Sequence, residues 1–387
     1  MFKIKTLNKI DPQGLKKLPE SNYLIDDNEE NPDAIILRSF KMHDMELPAS
    51  LKAIGRAGAG VNNIPLDKCT EQGIVVFNAP GANANAVKEL VLGSILYGSR
   101  LVMESIEWAR SLDGKGDEIP ALVEAGKKNF AGQEAAGKTI AVVGLGAIGI
   151  LTANACVDLG MNVVGYDPYL SVGNAIKLNS RVQVVENFDA LLADADYMTV
   201  HIPETPDTKG FVNADLIAKM KTGIKIMNFA RGGLCNDEAI HAAIDAGKIS
   251  AYFCDFPNAY NIKMPKTYTV AHLGASTAES ETNCAIMVAD QVRDYLDNGN
   301  ILNSVNFPAV NLGVASGARV AYVSTGDGKV ADATAALSSA GVQISNMVSK
   351  SRGNVAYSIM DLNAPITEDA LAKLQAVEGV TMVRVVK

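Results

Sequence analysis

The chain has 387 residues, 48% of them hydrophobic and 20% charged, and a formal net charge of −8. That length suits two or three domains with sizeable cores, and an acidic balance without a dense Lys/Arg block argues against a nucleic-acid partner. No apolar run reaches the roughly 18 residues of a membrane helix, and Met1-Phe2-Lys3-Ile4-Lys5 is not a secretory signal, so the chain reads as cytoplasmic with no membrane partner. The five cysteines, Cys69, Cys156, Cys235, Cys254 and Cys284, form no C-x-x-C pair, which speaks against disulfides and a structural metal and for small core residues in a reducing compartment.

Short apolar runs alternate with helical patterns from residue 31 onward. Ala34-Ile-Ile-Leu37, Leu51-Lys-Ala-Ile54 and Ile74-Val-Val-Phe77 are buried-strand candidates, each followed by Gly, Pro, Ser or Asn as strands feeding a ligand crevice often are. Residues 85–111 read as one long helix, and the Gly- and Lys-rich segment 112–137 reads as a surface excursion. Lys138-Thr-Ile-Ala-Val-Val143 opens a second series of strand–helix units running to about residue 275. Residues 277–298 form a helix expected to return to the first domain, and 303–316 a linker. The last seventy or so residues follow the order βαββαβ of a ferredoxin-like sandwich, expected to fold as a unit of its own, dispensable for chemistry. The fold class is therefore α/β: two Rossmann-like doubly wound domains with a cleft between them, plus the βαββαβ tail. The expected divisions are 1–98 with 278–307, then 99–277, then 317–387.

Gly144-Leu-Gly146-Ala147-Ile148-Gly149 follows a strand and opens a helix. Glycines there permit a tight turn, close approach of a pyrophosphate and close helix–strand packing, with the helix N-terminus attracting the phosphate charge. Asp167 ends the next strand, Val163-Val-Gly-Tyr166, at about the 20-residue distance of the carboxylate that accepts from ribose hydroxyls and repels a 2′-phosphate. NAD is thus the expected cofactor. Further on, Arg231 follows Ile224-Lys-Ile-Met-Asn-Phe-Ala230, and His272 follows the strand starting at Thr267. A planar two-pronged cation suits a carboxylate, and an imidazole suits proton removal near neutral pH. Together with a dinucleotide they point to hydride exchange with a 2-hydroxy acid. His43, His201 and His241 read as structural, His201 bordering the cofactor at a strand end.

Seven motifs occur in order: Arg56-Ala-Gly-Ala-Gly-Val-Asn-Asn63, Asn78-Ala-Pro-Gly-Ala-Asn83 with Glu89, the 144–149 fingerprint, His201-Ile-Pro203, Met220-Lys-Thr-Gly223, Asn228-Phe-Ala-Arg-Gly-Gly233 and His272-Leu-Gly-Ala-Ser-Thr277. In these the chain up to about residue 307 resembles the D-isomer-specific 2-hydroxyacid dehydrogenase family, and the tail after residue 317 resembles a regulatory ACT domain. The resemblance implies that Arg231 clamps the substrate and that His272 is the acid/base. It implies that Asp255 holds the nicotinamide carboxamide, that Phe229, Ala230 and Gly274 line the cofactor, and that the amides of Ala59 and Gly60 bind the substrate carboxylate. Arg38, Ser39 and Asn83 fall on the substrate side, where a distal phosphate would want the Arg38 cation. Three positions depart from the pattern. No acid follows Asp255 within Phe256-Pro-Asn-Ala-Tyr-Asn261, so the carboxylate partner of His272 is missing or comes from elsewhere. Ala271 replaces the proline before the histidine, and the loop Ser324-Thr-Gly-Asp-Gly-Lys329 lacks the usual effector-binding residues.

The activity implied is NAD-dependent oxidation of D-3-phosphoglycerate to 3-phosphohydroxypyruvate, opening serine synthesis. The alternatives are another D-2-hydroxyacid dehydrogenase, such as a hydroxypyruvate or glyoxylate reductase, and a dinucleotide-sensing regulator on the same scaffold. The partners implied are a small-molecule substrate and further copies of the chain in a homodimer or homotetramer, with the 99–137 excursion at the contact.

Overall fold

The computed structural model describes residues 1–326 and 328–387; Asp327, inside the 324–329 loop, lies outside the described residues. Three sheets are present. The first contains β1 (Phe2–Leu7), β2 (Tyr23–Ile25), β3 (Ala34–Leu37), β4 (Ala53–Arg56) and β5 (Val75–Phe77). They are all parallel, in the order β2-β1-β3-β4-β5. The second contains β6 (Thr139–Val143), β7 (Asn162–Tyr166), β8 (Gln183–Val184), β9 (Tyr197–Val200), β10 (Ile224–Asn228), β11 (Ile249–Cys254) and β12 (Thr267–Thr269). These too are parallel, in the order β12-β11-β10-β9-β6-β7-β8. Every residue of β3 and β9 is buried, as expected of parallel strands covered by helices on both faces. The expected strands are found with ends shifted by one or two residues, and β1 and β2 precede the region in which strands were expected.

The third sheet is antiparallel, built from β13 (Arg319–Thr325), β14 (Ile344–Arg352), β15 (Val355–Leu362) and β16 (Val380–Val385) in the order β14-β15-β13-β16. That is the ferredoxin-like arrangement expected from the βαββαβ pattern. Thr367 caps its second helix, Glu368–Gln375, by accepting from the Ala370 amide.

The chain divides into two compact units, residues 1–83 with 278–387 and residues 84–277. Two features differ from the sequence expectation. The expected 85–111 helix is two, Ala84–Ser99 and Val102–Arg110. The break follows Gly98-Ser99, where the Ser99 carbonyl accepts from the Gln133 amide at 2.8 Å instead of continuing the helical ladder. The second difference is the tail, which is built into the first unit. One face of its sheet, with Val320, Tyr322, Met360 and Leu362, packs on its own helices through Ala333, Leu337, Ala370 and Leu374. The other face, with Ala321, Val323, Tyr357 and Ile359, shares a core with Phe77, Phe307 and the helix Ala278–Asn298 through Val288, Val292 and Tyr295.

Polar contacts reinforce that joint. The Tyr357 hydroxyl donates to Gly299 O at 2.8 Å, and the Arg384 guanidinium lies 4.2 Å from the centre of the Tyr295 ring while donating to Tyr295 O. Arg319 is 1% exposed; it bonds the Asp361 carboxylate through Nε at 2.6 Å and Nη2 at 3.1 Å, and donates through Nη1 to Asn298 O and Gly313 O, each at 2.8 Å. Removing one partner of such a buried pair costs about 3–5 kcal/mol because the other charge is stranded. Arg319→Ala is therefore expected to lower unfolding stability by about 3 kcal/mol in a denaturant titration. A loss below about 1 kcal/mol would show that the tail is not fastened through this residue.

Candidate active site

The second sheet delivers its functional side chains along one edge. Arg231 follows β10, Asp255 follows β11 and His272 follows β12, and these three strands are neighbours in the sheet. Because all run parallel, the three loops leave from the same carboxyl edge, where open α/β sheets bind ligands. Asp255 is thus placed between the loops carrying the cation and the imidazole. Its side chain is almost wholly buried, Oδ2 accepts from the Gly274 amide at 2.9 Å, and Oδ1 has no partner. Burial pushes its pKa up, against the opposing pull of the Gly274 N–H, His272 and Arg231.

Asn228, fully buried at the end of β10, shapes the arginine loop. Its amide donates to Arg231 O at 2.8 Å, and its Oδ1 accepts from the Ala230 amide at 3.2 Å. The Arg231 side chain is exposed, with Nη1 on Ala230 O at 2.6 Å. His272 is also exposed, and the Phe256 ring lies 5.0 Å from its imidazole at an interplanar angle of 55°. An aromatic ring thus stands beside the histidine, and the imidazole acts electrostatically on the buried Asp255 carboxylate. Phe229 is buried at the foot of the same loop.

The fingerprint follows β6 at the centre of the sheet. Gly144 has φ of +91°, and a Cβ there would lie 2.7 Å from His201 O. A Cβ on Gly149 would run into Gly144 O, whereas at Gly146 it would meet nothing within 4 Å, leaving open space over the turn. Ala147 and Ile148 begin the twelve-residue helix Ala147–Asp158, whose N-terminus has no side-chain cap. Its first amides are available to an anion. The Asp167 carboxylate is fixed by the amides of Leu145 and Tyr169, both at 2.8 Å. Open space, uncapped amides, an oriented acid and the unpartnered Asp255 Oδ1 fit a dinucleotide.

The residues expected on the substrate side belong to the first unit. Arg38 and Ser39 follow β3, and Ala59 and Gly60 lie in the turn after β4. Asn78 holds that turn by donating to Ala59 O at 2.7 Å. Gly58, with φ of +148°, is needed there because the Arg56 guanidinium occupies the space of any Cβ. Asn83 ends the same unit with Oδ1 buried and unpartnered. The supporting roles of Arg56, Asn78 and Asn228 were absent from the sequence reading, although all three stand inside the motifs quoted; their types carried no sign of what they would touch.

Residues 99–274 match the family described as D-isomer specific 2-hydroxyacid dehydrogenase, NAD binding domain. This segment is a D-2-hydroxyacid dehydrogenase NAD-binding domain. The D-3-phosphoglycerate dehydrogenase of Archaeoglobus fulgidus is 35% identical over 288 residues, 72% of this chain and 52% of the relative. That of Bacillus subtilis is 32% identical over 336 residues, 80% of this chain and 60% of the relative. The chain thus spans only about half to three-fifths of the length of these relatives. Among solved structures, NAD+-bound 3-phosphoglycerate dehydrogenase from Entamoeba histolytica superposes with a TM-score of 0.60 at 24% identity, covering 79% of this chain and 98% of that one. The holo form of D-mandelate dehydrogenase from Rhodotorula graminis gives 0.67 at 23%, covering 80% and 98%. At that identity the structures establish the shared fold. Among the described residues, no helix is long and apolar enough to cross a membrane.

Within the NAD-binding domain, His201 follows β9 and backs the fingerprint. Nε2 lies 3.1 Å from Thr199 Oγ1, Nδ1 is buried without a partner, and burial lowers its pKa from 6.5 to about 4. The unfolded chain therefore binds a proton below about pH 6.5 that the native state refuses. The native state is fully favoured above that pH and loses stability as pH falls toward 4, by up to about 1.4 kcal/mol per unit. His201→Gln is expected to flatten the fall in stability between about pH 6 and 4.5, measured by denaturant titration at several pH values. Equal slopes in the two proteins would show that the imidazole does not titrate this way.

Proposed function

We propose that the chain is an NAD-dependent D-2-hydroxyacid dehydrogenase acting on D-3-phosphoglycerate. The observation that carries this reading is the delivery of Arg231, Asp255 and His272 by three adjacent parallel strands to the same carboxyl edge of the sheet that carries the dinucleotide fingerprint. Arg231 binds the substrate carboxylate through its fork of N–H donors and orients the carbon that bears the hydroxyl. His272 takes the hydroxyl proton on its imidazole as the carbonyl forms. When bound, NAD accepts the hydride that leaves the same carbon. The developing imidazolium is stabilised by the Asp255 carboxylate, which stands in for the absent family glutamate. Within the first unit, the backbone amides of Ala59 and Gly60 suit a carboxylate and the Arg38 guanidinium suits a phosphate.

The relatives named D-3-phosphoglycerate dehydrogenase support this substrate over glyoxylate or hydroxypyruvate. The cation and acid/base also favour catalysis over a purely sensing role. A homodimer is part of the proposal. Leu101, Met103, Ile106, Ile119 and Val123 present exposed apolar side chains along residues 101–123, a surface that suits a second copy.

Turnover of D-3-phosphoglycerate with NAD tests the reading directly, and its absence in the full chain would refute it. His272→Ala is expected to lower kcat by about 10²–10⁴ with little change in cofactor affinity. Arg231→Lys should be nearly as harmful as Arg231→Ala, since an ammonium cannot reproduce a planar fork. Full activity in His272→Ala would place the base elsewhere.

Cofactor choice rests on Asp167. Because the Leu145 amide of the fingerprint turn holds Asp167 Oδ2 and the Tyr169 amide holds Oδ1, NAD should bind much more tightly than NADP, and Asp167→Ala should narrow the gap. Equal affinities of the unmodified protein in a binding titration would overturn this assignment.

A further inference from the structure

The first sheet has its own ligand position, and a charge pair sits in it. Strand order in that sheet reverses between β1 and β3, which run side by side from the chain's first and third strands. The crevice outside the carboxyl ends at such a reversal is where open α/β sheets take ligands. Two residues mark it here, Asn8 just after β1 and Arg38 just after β3. The backbone around Arg38 is held from both sides. Asn8 Oδ1 accepts from the amides of Ser39 at 3.1 Å and Phe40 at 2.7 Å, and Asn63 Nδ2 donates to Arg38 O at 3.3 Å and Phe40 O at 2.7 Å. Asn8 adopts φ of +71°, an unusual conformation for a residue with a Cβ, to make these contacts. On the neighbouring strand, the register pairs Leu37 with Arg56, so a second guanidinium stands one position away.

An internal anion occupies this position. Glu281, in the first turn of the helix Ala278–Asn298, places Oε1 2.8 Å from Arg38 Nη2. Both side chains are part-exposed, at 39% and 43%, so the pair is within reach of a solute. Cys284, one turn further along the helix, reports the same cluster. Burial raises its thiol pKa, and Arg56, Arg38 and Glu281 all act on it electrostatically.

We propose that Glu281 is a specificity-determining residue: its carboxylate holds the Arg38 guanidinium until a phosphate monoester displaces it. A phosphate carries up to two charges and three acceptor oxygens, against the single charge of a carboxylate, and a guanidinium binds it through two parallel N–H bonds. A neutral hydroxymethyl group in the same place cannot compete with Glu281 and gains nothing from Arg38. The pair thereby favours phosphorylated over unphosphorylated 2-hydroxy acids. This rests on the reading of the chain as a dehydrogenase of phosphorylated substrates.

The test uses the full chain and its Glu281→Gln variant. Inorganic phosphate is titrated first, by its effect on the melting temperature, which reads binding without turnover. An exposed pair of this kind is a weak competitor, so Glu281→Gln should bind phosphate about twofold to fivefold more tightly, and Arg38→Gln should abolish the difference. In turnover, Glu281→Gln should lower KM for D-3-phosphoglycerate by about the same factor, leave kcat within about twofold, and leave KM for D-glycerate unmoved. Equal phosphate affinity in the two proteins, or an equal fall in KM for D-glycerate, would overturn the proposal. Loss of the catalytic reading would appear separately, as no turnover of D-3-phosphoglycerate by the unmodified chain while the phosphate titration still gives its answer.

Discussion

One buried carboxylate ties together the loops that follow β10, β11 and β12. Asp255 has lost almost all contact with water, which disfavours its charge. Beside its own backbone amide, three groups oppose that cost: the Gly274 amide, the imidazole of His272 and the guanidinium of Arg231. Each belongs to the loop of a neighbouring strand or to the turn following the histidine. The carboxylate therefore couples the geometry of the whole edge, because moving any of the three loops weakens its compensation. The Phe256 ring, 5.0 Å from the imidazole, adds an apolar neighbour on the same edge.

The first unit is organised around a different constraint, the burial of a sheet on both sides. β13 and β15 are apolar at successive positions, and alternate residues face alternate layers. One layer is made by the tail's own helices, the other by the helix Ala278–Asn298 and its neighbours. That helix is thus shared: its first turn carries Glu281 toward Arg38, and its last turns carry Tyr295 into the core under the tail.

The parallel strands, the fingerprint, Asp167, and the arginine and histidine at strand ends were legible in the sequence. Each is a local pattern whose physical meaning survives without neighbours: an unbroken apolar run, glycines before a helix, a polar side chain after a strand. The ferredoxin-like order of the tail was legible for the same reason, since caps and periodicity mark its elements one by one. The end of the helix at Ser99 was not, because the competing partner of its carbonyl, Gln133, lies on another segment.

By itself the sequence determined which elements form, in what order, and which side chains are candidates for chemistry. Only the tertiary structure decided which of them meet. It put Asp255 between Arg231 and His272, because β10, β11 and β12 are neighbours in the sheet. It set Glu281 against Arg38 across more than two hundred residues of chain. It also made the tail part of the first unit. A hint of that lay in Val320-Ala-Tyr-Val323, an antiparallel strand with no polar alternation, but such a run states that both faces are covered and not by what. Burial is a property of the partner surface as much as of the residue, and the partner here comes from the far side of the linker.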